Sequence, residues 1–183
     1  AFGGIIGLNR EVNGETAEAI AQAGFTECVI APGFTEGARG ILTQKKNIRL
    51  MALTPWQTGG VPDRDLKKVE GGVLVQDADT VCVCGADLRV VTKEVPTEAQ
   101  RASLLFGWTV VKHVRSNAIV ICQAERTIGI GAGQMSRVDS VRLAIEKAQT
   151  PTTGAVLASD AFFPKPDSID LAHQAGIAAI IQP

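Results

Sequence analysis

The sequence predicts a layered α/β fold, and three observations carry that prediction. Segments rich in β-branched and apolar residues alternate with amphipathic segments, the pattern of strands joined by crossover helices. Several amphipathic segments begin at a side chain suited to capping a helix. With 183 residues and a 45% apolar composition, the chain can bury a substantial core, and its length favours one domain, with two as the lesser option.

In chain order, "FGGIIGLN" (2–9) reads as a strand. A helix follows around "GETAEAIAQAG", which Asn13 can cap and Gly24 can end. "FTECVIAPG" is the next strand, stopped by Pro32-Gly33, and Thr35 can cap a helix over "EGARGILTQKK". "IRLMAL" resumes strand character. Residues 54–69 combine Pro, Gly and charge and read as a long connection. "GGVLVQDAD" and "LRVVTK" then read as two β-rich pieces separated by a turn.

The clearest helix starts at Thr97, where Thr-Glu-Ala-Gln forms a capping box. Leu104, Trp108, Val111 and Val114 mark its buried stripe, and it is expected to end near Ser116-Asn117. "AIVICQA" and "TIGIG" are strands. A helix from about Ser136 should bury Val138, Val141, Ile145 and Ala148. "GAVLASDAFFP", a helix near 167–175 and a last strand "IAAIIQ" complete the chain.

Eighteen basic residues against nineteen acidic ones give a net charge of -1. No stretch clusters Lys and Arg strongly enough for a nucleic-acid footprint, which disfavours nucleic acid as a partner. No apolar run approaches the ~20 residues of a spanning helix, and the amino end lacks an export signal. A soluble, cytoplasmic protein without membrane attachment is expected. Cys28, Cys82, Cys84 and Cys122 occupy apolar or strand-like surroundings, where free cysteine behaves as a small buried hydrophobe in a reducing compartment. Cys82 and Cys84 would share one face of a strand, and no second pair stands at zinc-site spacing, so no metal is predicted. The chain begins at Ala1 inside a strand pattern and ends at "AAIIQP", so both ends read as cut.

"TIGIGAGQMSRVDS" (127–140) first suggests a phosphate loop. Gly129, Gly131 and Gly133 are spaced by two, however, whereas a dinucleotide fingerprint places its third glycine one residue later, and no Gly-Lys-Ser/Thr occurs. What remains is a helix start, with Ser136 as cap and Asp139 three residues on. Gln134, Ser136 and Arg137 stand at this entry, where helix amides and a planar guanidinium suit an anionic or polar ligand. A capped turn with an exposed arginine is the alternative. Asn117 is either a helix C-cap or an amide for a heterocycle carrying a carboxamide. Lys112-His113 reads either as an acid-base pair or, near a helix C-terminus, as cations that complement the dipole. In "ASDAFFPKPD", the phenylalanines either fill core or stack on a flat ligand, and Asp160 and Asp167 read as turn or helix caps.

Taken in order, "FGGIIGLNREV", "VIAPGFTE", "SNAIV", "GIGAGQMSRVDS" and "SDAFFP" closely resemble the transformylase part of the bifunctional purine-biosynthesis family. That family joins 5-aminoimidazole-4-carboxamide ribonucleotide (AICAR) formyltransferase to IMP cyclohydrolase. The resemblance covers essentially the whole chain and implies a cytidine deaminase-like layered α/β/α fold with a mixed sheet. It implies no zinc, and the sequence has neither His-x-Glu nor Pro-Cys-x-x-Cys.

The implied reaction moves a formyl group from 10-formyltetrahydrofolate, a cosubstrate, to the 5-amino group of AICAR in IMP biosynthesis. By matched motif, Gly3 and Glu27 are implied substrate contacts from one protomer, with Phe2 beside them. Asn117, Arg137 and Phe162 are implied contacts from the opposing protomer of a homodimer, and Val138 and Asp167 fall at folate-side positions. The family's catalytic Lys-His pair belongs to a "KHVNPCG"-like motif that is absent from these residues and expected before residue 1. Lys112-His113 matches a different helix. Lys165 stands where the family places an aromatic residue near folate. The resemblance therefore implies a partial transformylase domain, without the cyclohydrolase domain and both flanking transformylase segments, that is inactive alone. A non-catalytic AICAR- or folate-binding or dimerisation module is the alternative.

Overall fold

The computed structural model describes residues 3–53 and 64–183. Phe2 and positions 54–63 of the expected long connection lie outside the described residues. The chain divides into two compact units, Ala1–Thr80 and Val81–Pro183.

In the first unit, β1 (Gly4–Gly7), β2 (Thr26–Ala31) and β3 (Arg49–Ala52) form a parallel sheet in that order. Helices α1 (Gly14–Gln22) and α2 (Glu36–Leu42) make the crossovers between them. Both starts are fixed by the caps expected from sequence. Asn13 Oδ1 accepts from the Thr16 amide at 2.9 Å, and Thr35 Oγ1 from the Ala38 amide at 3.2 Å. Gly24, at φ +99°, takes the left-handed conformation beyond the end of α1. Val29 and Ala31 of β2 pack with Ala17, Ile20, Ala38 and Leu42 into one core.

The same unit carries a hairpin of β4 (Arg64–Val69) and β5 (Gly72–Asp77). Residues 64–69 are therefore strand, not connection. The strand signal was masked by charge, because Arg64, Asp65, Lys67 and Lys68 interrupt the apolar residues along an exposed ribbon.

The second unit is a three-layer α/β/α sandwich. Its mixed sheet has the order β7 (Thr127–Gly131), β6 (Ile119–Cys122), β8 (Val156–Ser159), β9 (Ala179–Ile181). Only the β8–β9 pair is parallel. Alternation sorts the central strands onto two faces. Val120, Cys122, Val156 and Ala158 meet Leu104 and Val111 of α3 (Glu98–Val111). Ile119, Ile121 and Leu157 meet Val141 and Ala144 of α4 (Arg137–Glu146) and Ala172 of α5 (Asp167–Gln174).

The capping box at Thr97 is complete, with Thr97 Oγ1 accepting from the Gln100 amide and Gln100 Oε1 from the Thr97 amide. Helix α3 ends at Val111, five residues before Ser116, so Asn117 is not its C-cap. Trp108 and Val114 lie half-buried beside that core. The stripe of α4 is rotated from expectation: Ser140, Val141 and Ala144 are buried, while Val138 and Ile145 are intermediate.

Two further expectations fail. Among the described residues "LRVVTK" pairs with no strand, and Val91 is exposed. Cys82 and Cys84 are also exposed and lie outside any strand, whereas Cys28 is intermediate and Cys122 buried. β-rich composition selected these segments, but a strand also needs a neighbour.

Candidate functional site

Topology brings the motifs of the second unit to one end of its sheet. Antiparallel register sets Ile119, at the start of β6, opposite both Gly131 at the end of β7 and Ser159 at the end of β8. Asn117, the segment 133–137 and the segment 160–163 therefore emerge side by side.

The approach of α4 depends on two glycines. A Cβ on Gly129 would stand 2.0 Å from the Ala144 carbonyl oxygen, and one on Gly131 would stand 1.9 Å from that of Ser140. The glycine alternation thus lets the helix backbone rest directly on β7. Ser136 caps the helix, accepting from the Asp139 amide at 3.3 Å and donating its hydroxyl to the Asp139 carboxylate. That carboxyl is held below its ordinary range, chiefly by the Ser136 hydroxyl and then by Arg142.

Arg137, in the first turn, is turned inward and only 9% of its side chain is exposed. Its Nη1 donates to Ser159 Oγ at 2.9 Å and to Asp160 Oδ1 at 2.5 Å, and Nη2 donates to Asn117 Oδ1 at 3.0 Å. These bonds use three of the five guanidinium N–H groups. The exposed-arginine alternative is therefore excluded. Asn117 is fixed from the other side, since its Nδ2 donates to the Gln134 carbonyl at 2.9 Å.

Asp160 holds this assembly together. Besides Arg137, it accepts from the Ala118 amide at 3.0 Å and from the Ser116 hydroxyl. Burial pushes its carboxyl pKa up, but the hydrogen bonds from Ser116, Arg137 and Ala118 and the Arg137 charge outweigh burial and hold it below the ordinary range. Sequence reading placed Asp160 only as a turn or cap residue. Its partner lies 23 positions away, and no local pattern announces such a pair.

A cleft of about 380 Å³ opens in front of this network, lined by Asn117, Arg137, Val138, Phe162, Lys165 and Asp167, with Met135, Ser136, Ala161, Pro164 and Ser168. All five candidate residues expected in this part of the chain converge there. The adjacent phenylalanines divide their roles, with Phe163 packed on the core and Phe162 64% exposed at the cleft. Asp167 Oδ1 accepts from the Ser168 amide at 2.7 Å, and the cap position of α5 belongs to Pro166.

The other two described candidates meet within the first unit. From Gly4 to Ile5 the register advances from Thr26 to Cys28, so Glu27 has no partner on β1. This bulge re-aims the Glu27 side chain. A Cβ on Gly3, which has φ +78°, would stand 2.2 Å from Glu27 Oε1. Glu27 also faces Arg49 at 3.9 Å, an exposed pair of little energetic weight.

Lys112 caps the C-terminus of α3 and its Nζ donates to the Val81 carbonyl at 3.2 Å. Neither His113 nor His173 lines the cleft. Among the described residues, no group of three His, Cys, Asp or Glu could hold a metal ion. No helix among them is long and apolar enough to cross a membrane.

A family model described as the AICARFT/IMPCHase bienzyme matches residues 1–147. Two curated relatives, each called bifunctional purine biosynthesis protein PurH, come from Shouchella clausii (strain KSM-K16) and Anoxybacillus flavithermus (strain DSM 21510 / WK1). Each is 52% identical over 182 residues, spanning 100% of this chain and 35% of the relative. The chain thus spans about a third of their length.

Proposed function

The chain belongs to the AICARFT/IMPCHase bienzyme family, and on that premise we propose that its second unit holds and orients AICAR for formyl transfer from 10-formyltetrahydrofolate. The observation carrying this reading is the convergence of Asn117, Arg137, Val138, Phe162 and Asp167 on one cleft. Its volume of about 380 Å³ suits part of a nucleotide-sized ligand, since small-molecule sites span roughly 300–1,000 Å³.

The acceptor amine is a weak nucleophile, because its lone pair is delocalised into an imidazole bearing a carboxamide. Transfer requires its nitrogen to attack the formyl carbon, a proton to leave that nitrogen, and the bond to folate N10 to break as N10 gains a proton. Orientation and stabilisation of the tetrahedral oxyanion are the contributions a protein can make without moving the proton itself. The cleft is built for orientation. Asn117 and the remaining guanidinium N–H groups of Arg137 address a carboxamide, and exposed Phe162 offers a face for a flat ring. Val138 and Asp167 border the folate side. Proton transfer is assigned to the Lys-His pair that the family resemblance implies, and Lys165 and Asp167, which line the cleft, are read as folate-side groups.

Gly3 and Glu27 complete the reading as contacts contributed by a second copy, giving a homodimer with two equivalent interface sites. The working compartment in this reading is the cytoplasm. Calorimetric titration with AICAR, alongside a formyl-transfer assay, tests the assignment. Binding that weakens at least about tenfold in Arg137→Lys, with the variant still folded by circular dichroism, supports it. A chain that binds AICAR equally well without Arg137, Asn117 and Phe162 would refute it.

A further inference from the structure

We propose that Asp160 determines specificity, by cancelling the charge of Arg137 so that the cleft selects a neutral carboxamide over a carboxylate. This rests on the reading of the cleft as an AICAR site.

A lone guanidinium beside a cleft would favour any anion. Here the charge is already matched. Arg137 lies against Asp160 at 2.5 Å, with side chains only 9% and 16% exposed, so solvent screens the pair weakly. Asp160 is kept ionised by Ser116 and Ala118 as well as by Arg137. The cleft's other charges, Lys165 and Asp167, are opposite in sign. The pocket therefore presents oriented N–H donors without net positive charge. A carboxamide oxygen can accept from those donors, and the Asn117 amide can meet its other end. A carboxylate at the same place would lose its water and face Asp160 behind the guanidinium, with the Lys165 charge offset by Asp167, so discrimination arises from the carboxylate's desolvation and repulsion.

The test is calorimetry on the protein carrying this sequence, with AICAR and with the analogue bearing a 4-carboxylate in place of the carboxamide. The unmodified protein should favour the carboxamide by at least about tenfold. Asp160→Asn, which keeps the shape and removes the charge, should shrink or invert that ratio, while Asp160→Glu should retain the preference. Equal affinities in the unmodified protein would overturn the inference, even if Asp160→Asn fails to fold. So would Asp160→Asn weakening both ligands by the same factor, the signature of a merely structural residue. Failure of the unmodified protein to bind either ligand would instead sink the carboxamide-site reading on which the inference stands.

Discussion

Gly131 lies so close beneath Ser140 that a Cβ added to it would stand 1.9 Å from the Ser140 carbonyl oxygen. The obstacle is helix backbone, which cannot swing aside as a long side chain can. Gly131→Ala and Gly129→Ala should each destabilise the protein by about 3 kcal/mol or more, at the upper end of overpacking costs. Gly40→Ala should do the opposite. Gly40 lies on the exposed face of α2, with no described atom within 4 Å of its added Cβ, so helix propensity predicts a gain of roughly 0.5–1 kcal/mol. Urea unfolding of the three variants checks the contrast.

Thiol chemistry should separate the four cysteines by location. Cys82 and Cys84 are exposed and should react first with a small aromatic disulfide reagent. Burial pushes the Cys122 thiol up to about 11, leaving almost no thiolate at neutral pH. Cys122 should therefore label only when the protein unfolds, and Cys28 should fall between. Rapid labelling of Cys122 in the folded chain would contradict its place between α3 and the sheet.

These contrasts show what the sequence exposed and what it concealed. The caps at Asn13, Thr35, Thr97 and Ser136 were legible because each bond spans three residues. The hairpin was not, because charged residues on an exposed ribbon interrupt the apolar pattern. The motif at Arg137 was visible as a helix entry, but its counterion was invisible: Asp160 joins it only because β6, β7 and β8 share one sheet end. Cys82 and Cys84 misled for the related reason that apolar composition reports burial only where another layer supplies the cover.

Acid should weaken the second unit through Asp160. Its folded pKa is depressed, so its contribution is fully present above the unfolded value of about 3.9. It is lost as pH falls through the lower folded value. Between pH 5 and 7 stability should thus be insensitive to this group, with the loss beginning near pH 4. Asp160→Asn should cost about 3–5 kcal/mol at neutral pH by leaving Arg137 without its counterion. The variant should also lose part of the acid dependence. Denaturant titrations across pH 3 to 7 measure both, and an unchanged slope below pH 4 would show that the pair is not closed in solution.

Arg137 offers the sharpest kinetic test, with one complication. Arg137→Ala would strand Asp160 in the interior, so lost activity could reflect lost folding. Arg137→Lys keeps the charge but cannot reach Ser159, Asp160 and Asn117 together as the planar fork does. In a full-length family protein carrying this segment, it should raise the KM for AICAR and slow turnover by roughly 2–4 kcal/mol in kcat/KM, while remaining folded by circular dichroism. If the site is shared between two copies, Glu27→Ala and Arg137→Lys should be jointly rescuable, since a mixed dimer has one site carrying both lesions and one carrying neither. Random reassortment of equal amounts would restore about 25% of wild-type activity, because half the dimers are mixed and each has one intact site. Activity no higher than that of either variant alone would place both residues in the same copy's site.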